Sequence, residues 1–334
     1  MAVKWSWAFG NETPTTMRDY MGWSFDQTST SRNGAVTTPV YTYASYPGTR
    51  YSMALSDDDI AVPSSAVPVQ GWYSVAMQPT VSYRPYQTFL AVYGGGSNRS
   101  IYIQVASESA WNLYVDNTFK ETFTAPALGD WHYIALKYDM STSTWSGQVY
   151  VNGAAATASY TDARSAETVA SAEFRGMTDG YKQTFMAQII FYDDLADSGE
   201  TPLFVSRVGP TADTSETGAW TPSSGATNFG VTANNPYDNA TYTQEATPSS
   251  GDNVVTEAVL ATELGLTPGI VRGGTNHTYS SGTNLQAFAS IRDSGGAYTN
   301  GATVTPDSAD TTYAYGTSTG LTGSSTINVK YEVV

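Results

Sequence analysis

The stretch Trp131-His132-Tyr133-Ile134-Ala135-Leu136-Lys137-Tyr138-Asp139 decides the fold class, together with Gly147-Gln148-Val149-Tyr150-Val151-Asn152-Gly153 after a polar turn. Successive side chains of a strand point to opposite faces. Tyr133, Ala135 and Lys137 therefore face one way, and Ile134, Leu136 and Tyr138 the other. The two segments read as a long antiparallel hairpin. Asn152-Gly153 accepts positive φ and predicts a tight two-residue turn.

Working outward, the same pattern recurs. In residues 71–79, Tyr73, Val75 and Met77 alternate with Ser74, Ala76 and Gln78, which predicts a half-buried strand. The apolar run 88–93 ends at Gly94-Gly95-Gly96-Ser97-Asn98, a turn, and residues 101–105 read as the returning strand. Residues 111–115 meet the turn signal Asp116-Asn117. Residues 185–192 form another strand, closed by Asp193-Asp194. At the far end, Ile327, Val329, Tyr331 and Val333 alternate with polar residues as a last strand. Residues 253–264 carry helix signals, with Asp252 as N-cap and Gly265 as stop. Their β-branched residues fit an extended, buried segment equally. No repeat of 20–50 residues is visible, which argues against a solenoid or propeller.

Residues 208–218 are small, polar and marked by Gly209, Pro210 and Gly218, and they read as a linker. The predicted organisation is all-β. Residues 1–208 form an antiparallel jelly-roll sandwich, with the segment up to Tyr20 as an arm or edge strand. Residues 209–334 form a smaller C-terminal β domain. That second half is poor in large apolar residues, so subunit contacts, with threefold symmetry as the expectation, would supply its missing core.

Composition removes several classes. The 334 residues carry 15 Lys and Arg against 30 Asp and Glu, a net charge of −15. Phosphate neutralisation needs clustered cations, so nucleic acid is not an expected partner. No apolar run approaches the ~20 residues that span a bilayer. Aromatic residues make up 13% of the chain, which argues against disorder. With no Cys there is no disulfide framework, no thiolate zinc site and no thiol nucleophile. The start of the chain shows no secretory signal. The sequons at Asn11, Asn98, Asn239 and Asn276 therefore read as chance matches.

The residue types that carry chemistry are few. His132 lies within a strand and reads as a hydrogen-bonding strand residue. His277 lies in the Gly/Thr/Asn stretch 273–277 and reads as a loop residue. Two histidines in separate domains make no metal site. Paired carboxylates cleave glycosides when about 5–9.5 Å apart. Glu108 near Trp111 and Glu173 near Phe174 are the candidates, and neither sits in an alternating acidic strand motif. No enzyme activity, catalytic residue or cofactor is assigned. Asp57-Asp58-Asp59, Asp116 and Asp179 stand at acidic turns that suit calcium. A solvated turn explains them as well, and no metal ligand is assigned. The triple glycine lacks the Gly-Lys-Ser/Thr ending of a phosphate loop. Tyr41, Tyr43, Tyr46, Tyr51, Tyr83 and Tyr86 are either core or contact aromatics, since exposed rings stack on sugars and anchor interfaces.

Residues 131–139, the Val149-to-Gly153 segment and Gln188-Ile189-Ile190-Phe191-Tyr192-Asp193-Asp194-Leu195 resemble the laminin-G-like, concanavalin-like jelly-roll domains. That family shows a Trp-His-x-hydrophobic strand, then a strand ending in Asp/Asn-Gly. The resemblance spans residues 20–205 and implies the fold. It implies no single function, because members bind glycans, bind proteins or build particles. Ala219-Trp220-Thr221-Pro222-Ser223-Ser224-Gly225-Ala226-Thr227-Asn228, then Tyr237-Asp238-Asn239-Ala240-Thr241-Tyr242, resembles the C-terminal region of virion structural proteins of tailed bacteriophages. Asn-Ala-Thr-Tyr stands where those proteins carry a more acidic run.

Together the resemblances imply a non-enzymatic virion protein, made in the bacterial host cytoplasm. It would be a tail-fibre or tail-tip component contacting host surface glycans, with other virion proteins and copies of itself as partners. The alternatives are a capsid decoration or head-fibre protein, a free carbohydrate-binding module, and a glycan-degrading enzyme.

Overall fold

The computed structural model describes residues 3–8, 24–25, 53–55, 59–62, 67–79, 85–96, 99–175, 184–195, 212–223, 243–244, 246–259, 270–277, 286–293, 297–301, 303, 305, 312–319 and 326–334. Every regular element among them is a strand. The chain divides into two compact units, Met1–Ser206 and Arg207–Val334.

The strands of the first unit are β1 (Val3–Ala8), β2 (Ser24–Phe25), β3 (Met53–Leu55), β4 (Asp59–Ala61), β5 (Gln70–Pro79), β6 (Thr88–Gly94), β7 (Ser100–Ser107), β8 (Ala110–Val115), β9 (Thr118–Thr124), β10 (His132–Asp139), β11 (Thr144–Val151), β12 (Ala154–Ala155), β13 (Tyr160–Ala163), β14 (Val169–Arg175) and β15 (Thr184–Tyr192). One sheet runs β1-β15-β5-β10-β11-β12, with β13 also on β11 and β3 also on β15. The other runs β2-β4-β14-β6-β7-β8-β9. Consecutive strands lie in opposite sheets at several points, and every recorded ladder is antiparallel. The unit is an antiparallel β-sandwich of the jelly-roll class.

Alternation along β10 places its side chains as the sequence predicts. Ile134, Leu136 and Tyr138 enter the core between the sheets, where Val75, Met77, Ile189 and Phe191 join them from the same sheet. Leu90, Val92, Ile101, Ile103, Leu113 and Phe174 come from the opposite one. The opposite sheet packs directly on the backbone at Gly147 of β11. A Cβ there would lie 2.9 Å from Val115 Cγ2 and 3.0 Å from Ile101 Cγ2. Hairpin turns follow the sequence too. Asp116 and Asn117 take φ of 55° and 59°, and Asn152 and Gly153 take 52° and 87°. These are the left-handed values of a type I′ turn, whose twist matches the flanking strands.

One expectation needs correcting. β5 is buried on both faces, not one: Ser74 is 0% and Ala76 2% exposed. Its outer face carries a second cluster, in which Trp72 joins Tyr133, Ala135, Ile190 and Tyr192. Tyr150 lies 5.0 Å from Trp72 ring to ring, and the Lys137 ammonium stands 5.0 Å over the same indole. Small residues at 74 and 76 sit beneath these rings, so a polar-looking face is covered by its neighbours' aromatics.

The second unit holds β16 (Ala212–Thr217), β17 (Thr221–Pro222), β18 (Thr243–Gln244), β19 (Asn253–Val259), β20 (Ile270–His277), β21 (Ala287–Asp293), β22 (Thr299–Asn300), β23 (Thr312–Thr319) and β24 (Thr326–Val333). The main sheet runs β16-β19-β24-β21-β22, and β17-β18 and β20-β23 form two small ones. The last strand predicted from sequence is thus a central one. Three expectations change. The proposed linker contributes the edge strand β16, because Thr and Ser carry a ladder readily and Asp213 and Glu216 suit an exposed edge. The proposed helix is β19, where Val254, Val255 and Thr256 favour extended backbone; residues 260–264 lie outside the described residues. His277 ends a strand instead of standing in a loop, and Gly273 pairs with Gly316 beside it.

Among the described residues of this unit, Ile291 and Ile327 form an apolar cluster with Val329 against them, and Val255, Ala287 and Val333 are buried too. Cation–π contacts supplement it, with Arg292 at 4.4 Å and Lys330 at 4.6 Å from the Tyr298 ring. Trp220 donates its indole N–H to the Thr217 carbonyl at 3.0 Å and meets Tyr331 edge-on at 5.8 Å. Burial pushes the Tyr331 phenol up to about 12.

The close approach at Gly147 sets a test. Gly147→Val forces Val115 and Ile101 apart and is expected to cost about 1–3 kcal/mol by overpacking. Urea denaturation should show a lower midpoint with an unchanged slope.

Candidate functional site

The histidine–asparagine motif is structural. His132 Nε2 lies 2.8 Å from the Ala127 carbonyl and donates to it, which leaves Nδ1 to accept from Asn152 Nδ2 at 3.1 Å. Asn152 Oδ1 accepts the Tyr133 N–H at 2.8 Å, and the Asn152 N–H donates to the Tyr133 carbonyl. The two halves of the sequence signature, 19 and 20 residues apart, are thus bonded to each other.

The candidate carboxylates do not meet. Glu108 is exposed at the tip between β7 and β8, whereas Glu173 lies on β14. Two strands and several register steps separate them, roughly 20 Å by ladder spacing, too far for glycoside cleavage. Trp111 and Phe174, the aromatics beside them, are fully buried in the core. The Glu173 carboxylate faces Tyr93; burial first, then this charge and hydrogen bond, raises the Tyr93 phenol well above its usual range. Asp57, Asp58, Asp179, Tyr41, Tyr43, Tyr46, Tyr51 and Tyr83 lie outside the described residues, as do residues 237–242.

Asp116 does gain a role. The left-handed turn folds its side chain inward to 1% exposure. Arg99 Nη1 donates to both carboxylate oxygens, at 3.0 and 2.9 Å, and Arg164 Nε donates to Oδ2. The neighbouring Asn117 Oδ1 accepts from the Ser100 N–H at 3.0 Å and its hydroxyl at 2.9 Å. A buried carboxylate costs several kcal/mol unless paired and hydrogen-bonded, and here two guanidinium groups satisfy it. Its burial and its bonds to two cations disfavour it as a calcium ligand.

The Arg99 and Arg164 side chains are 41% and 40% exposed. They line a cleft of about 470 Å³ with Ser143, Ala163, Ser165 and Glu167. Glu167 Oε2 accepts the Gly96 N–H at 3.2 Å. A Cβ on Gly94 would lie 2.4 Å from that oxygen, so the triple glycine lets the β6–β7 tip close on this wall. The buried Trp145 anchors the floor by donating its indole N–H to the Ser165 carbonyl at 3.0 Å. Sequence reasoning missed both arginines. Arg164 lies 48 residues from Asp116 and Arg99 17, and neither belongs to a local motif.

A second feature lies on the outer face of the seven-stranded sheet. Tyr102, Tyr114 and Phe119 are register partners across β7, β8 and β9. The two tyrosine rings stack at 4.6 Å and 6°, and Phe119 meets Tyr114 at 5.8 Å and 69°. Rings stacked across adjacent strands stand upright, so their edges and hydroxyls point outward. Phe119 is 52% exposed. The next rung is polar: Gln104, Asn112 and Thr122 are partners, and the Thr122 hydroxyl donates to Asn112 Oδ1 at 2.7 Å. Phe119 follows Asp116 by three residues, so strip and cleft share the β8–β9 turn. Tyr86 is exposed as well, with φ of 66°, and is held by its N–H on the Val105 carbonyl toward the opposite end of β7.

No family model matches the chain, and no curated protein matches it. Among solved structures it is similar to Trypanosoma rangeli sialidase in complex with sialic acid, at 9% identity and a TM-score of 0.36, over 51% of this chain and 28% of the other. It is similar to the Ruminococcus gnavus IT-sialidase CBM40 bound to α2,3-sialyllactose, at 15% identity and a TM-score of 0.33, over 45% of this chain and 93% of the other. A third is domain 4 of AbnA, a GH43 extracellular arabinanase from Geobacillus stearothermophilus, in complex with arabinotriose, at 12% identity and a TM-score of 0.36, over 60% and 96%. The chain spans 28% of the length of the sialidase it matches. At these scores the likenesses assign no function.

The environment of His132 gives a pH test. Burial lowers its pKa below 6.5, against the opposing pull of the Ala127 carbonyl and Asp130. The unfolded chain then binds the proton more readily than the folded one. Stability is whole above pH 6.5 and declines as pH falls through 6.5 toward the folded pKa. His132→Gln keeps a donor and an acceptor without a titrating ring. Denaturation midpoints between about pH 7.5 and 5.5 should fall less in this variant than in the native chain.

Proposed function

We propose that this chain is a non-enzymatic glycan-binding structural protein of a tailed phage particle, a tail-fibre or tail-tip component that contacts the host surface. The observation that carries the glycan part is the outer strip of the seven-stranded sheet. It sets the half-exposed Phe119 and the upright Tyr114 and Tyr102 beside a row of amide and hydroxyl groups. A sugar offers an apolar C–H face and a rim of hydroxyls, and such a strip answers both: the tilted, half-exposed Phe119 ring for the first, Gln104, Asn112 and Thr122 for the second.

The virion part rests on the resemblance of residues 219–228, on a chain without Cys, and on low charge. A multimer is part of this reading, because the second half of the sequence is poor in large apolar residues and contacts between copies would add to its core. Several copies would raise weak single-site affinity through avidity.

Purified protein is expected to bind host cells and compete with infection. Phe119→Ala should weaken that binding about tenfold while the circular dichroism spectrum stays native. Fixed-ratio binding to empty capsids, with no binding to cells, would favour the decoration role and contradict the attachment reading.

A further inference from the structure

The cleft at the β8–β9 end of the sandwich has a chemistry of its own. A guanidinium carries five N–H donors in a planar fork. Asp116 occupies Nη1 of Arg99 and Nε of Arg164. The remaining donors of both groups meet no other acceptor among the described residues, and both side chains are about two-fifths exposed. Asp116 is buried beneath them, so it fixes the two forks without covering them. Asp116 and Glu167 balance the two cations in number, so the cleft offers guanidinium donors and not a net positive charge.

We propose that this cleft binds an acidic sugar unit, a carboxylate flanked by hydroxyls, within the glycan that the neighbouring strip holds. The proposal rests on the glycan-binding reading. A planar carboxylate matches a guanidinium fork, and Arg is the preferred residue for such pairing. Glu167 selects the class further. Its carboxylate lines the same cleft and would repel a bare oxyanion, but it accepts hydrogen bonds from sugar hydroxyls. Ser143 and Ser165 add hydroxyls to the lining. Guanidinium donors together with hydroxyl and carboxylate acceptors suit a sugar acid, which carries hydroxyls of its own, better than a free phosphate. The volume of about 470 Å³ falls in the range of small-molecule sites. The net charge of −15 repels anions at long range, so any preference for an acid has to arise from this local pair.

The test is calorimetric titration of the full chain with oligogalacturonate, with its neutral methyl ester and with inorganic phosphate. The acid is expected to bind about tenfold more tightly than the ester, and more tightly than phosphate. Arg164→Gln should abolish that preference, so that acid and ester bind alike. Arg164→Lys, which keeps the charge and loses the fork, should restore part of it. Equal binding of acid and ester overturns the proposal and leaves the glycan reading standing. So does a preference that survives in the Arg99→Gln, Arg164→Gln double variant with a native circular dichroism spectrum. Phosphate binding more tightly than the acid overturns the sugar-acid assignment. Binding of neither saccharide overturns both readings.

Discussion

One buried carboxylate organises the end of the sandwich on which the functional reading depends. Asp116 draws in Arg99 from the β6–β7 tip and Arg164 from the connection ahead of β14. Three segments distant in sequence are thereby held at one point. Removing water from a carboxylate is costly, and the cost is met only when both guanidinium groups are in place. The turn that aims Asp116 inward needs two successive left-handed residues, and Asp116-Asn117 supplies types that tolerate them. A local backbone preference therefore sets a long-range electrostatic contact, and that contact sets the cleft.

The two sheets divide their roles. In the eight-stranded sheet β5 is covered on both faces, with the core on one side and the Trp72 cluster on the other. The seven-stranded sheet buries its inner face and, across β7, β8 and β9, leaves Tyr102, Tyr114 and Phe119 only partly covered. Aromatic rings that cost little conformational entropy to order stand in register on this face. Lys120 pairs with Asp162 at 2.8 Å, and Glu121 accepts the Ala158 N–H at 3.0 Å. These contacts tie the edge strand β9 to the segment beyond β11, so the strip ends on a fixed edge.

Much of this was legible in the sequence where the physics is local. The alternation of Ile134, Leu136 and Tyr138, the turns at Asp116-Asn117 and Asn152-Gly153, and the last strand all follow from period-two patterning and backbone preference. The non-local features were hidden. Ser74 and Ala76 read as a solvent face because small and polar residues carry no sign of the aromatics that neighbouring strands lay over them. Val254, Val255 and Thr256 sit between plausible helix caps, and pairing with β24 decided for a strand. The arginine clamp joins residues 17 and 48 positions apart, a spacing that reflects only the path of the chain through two sheets. Asp116 itself was visible as an acidic turn, but its burial, and so its partners, was not.

The central claim is that the outer strip and its adjoining cleft form one glycan-binding surface. Hydrogen–deuterium exchange with and without a bound host-surface glycan tests it most directly. The account predicts slowed exchange in residues 99–121 and 160–168, with the second unit unchanged. Protection confined to residues 207–334, or to the loop at Tyr86, with none at the β8–β9 turn, would contradict it.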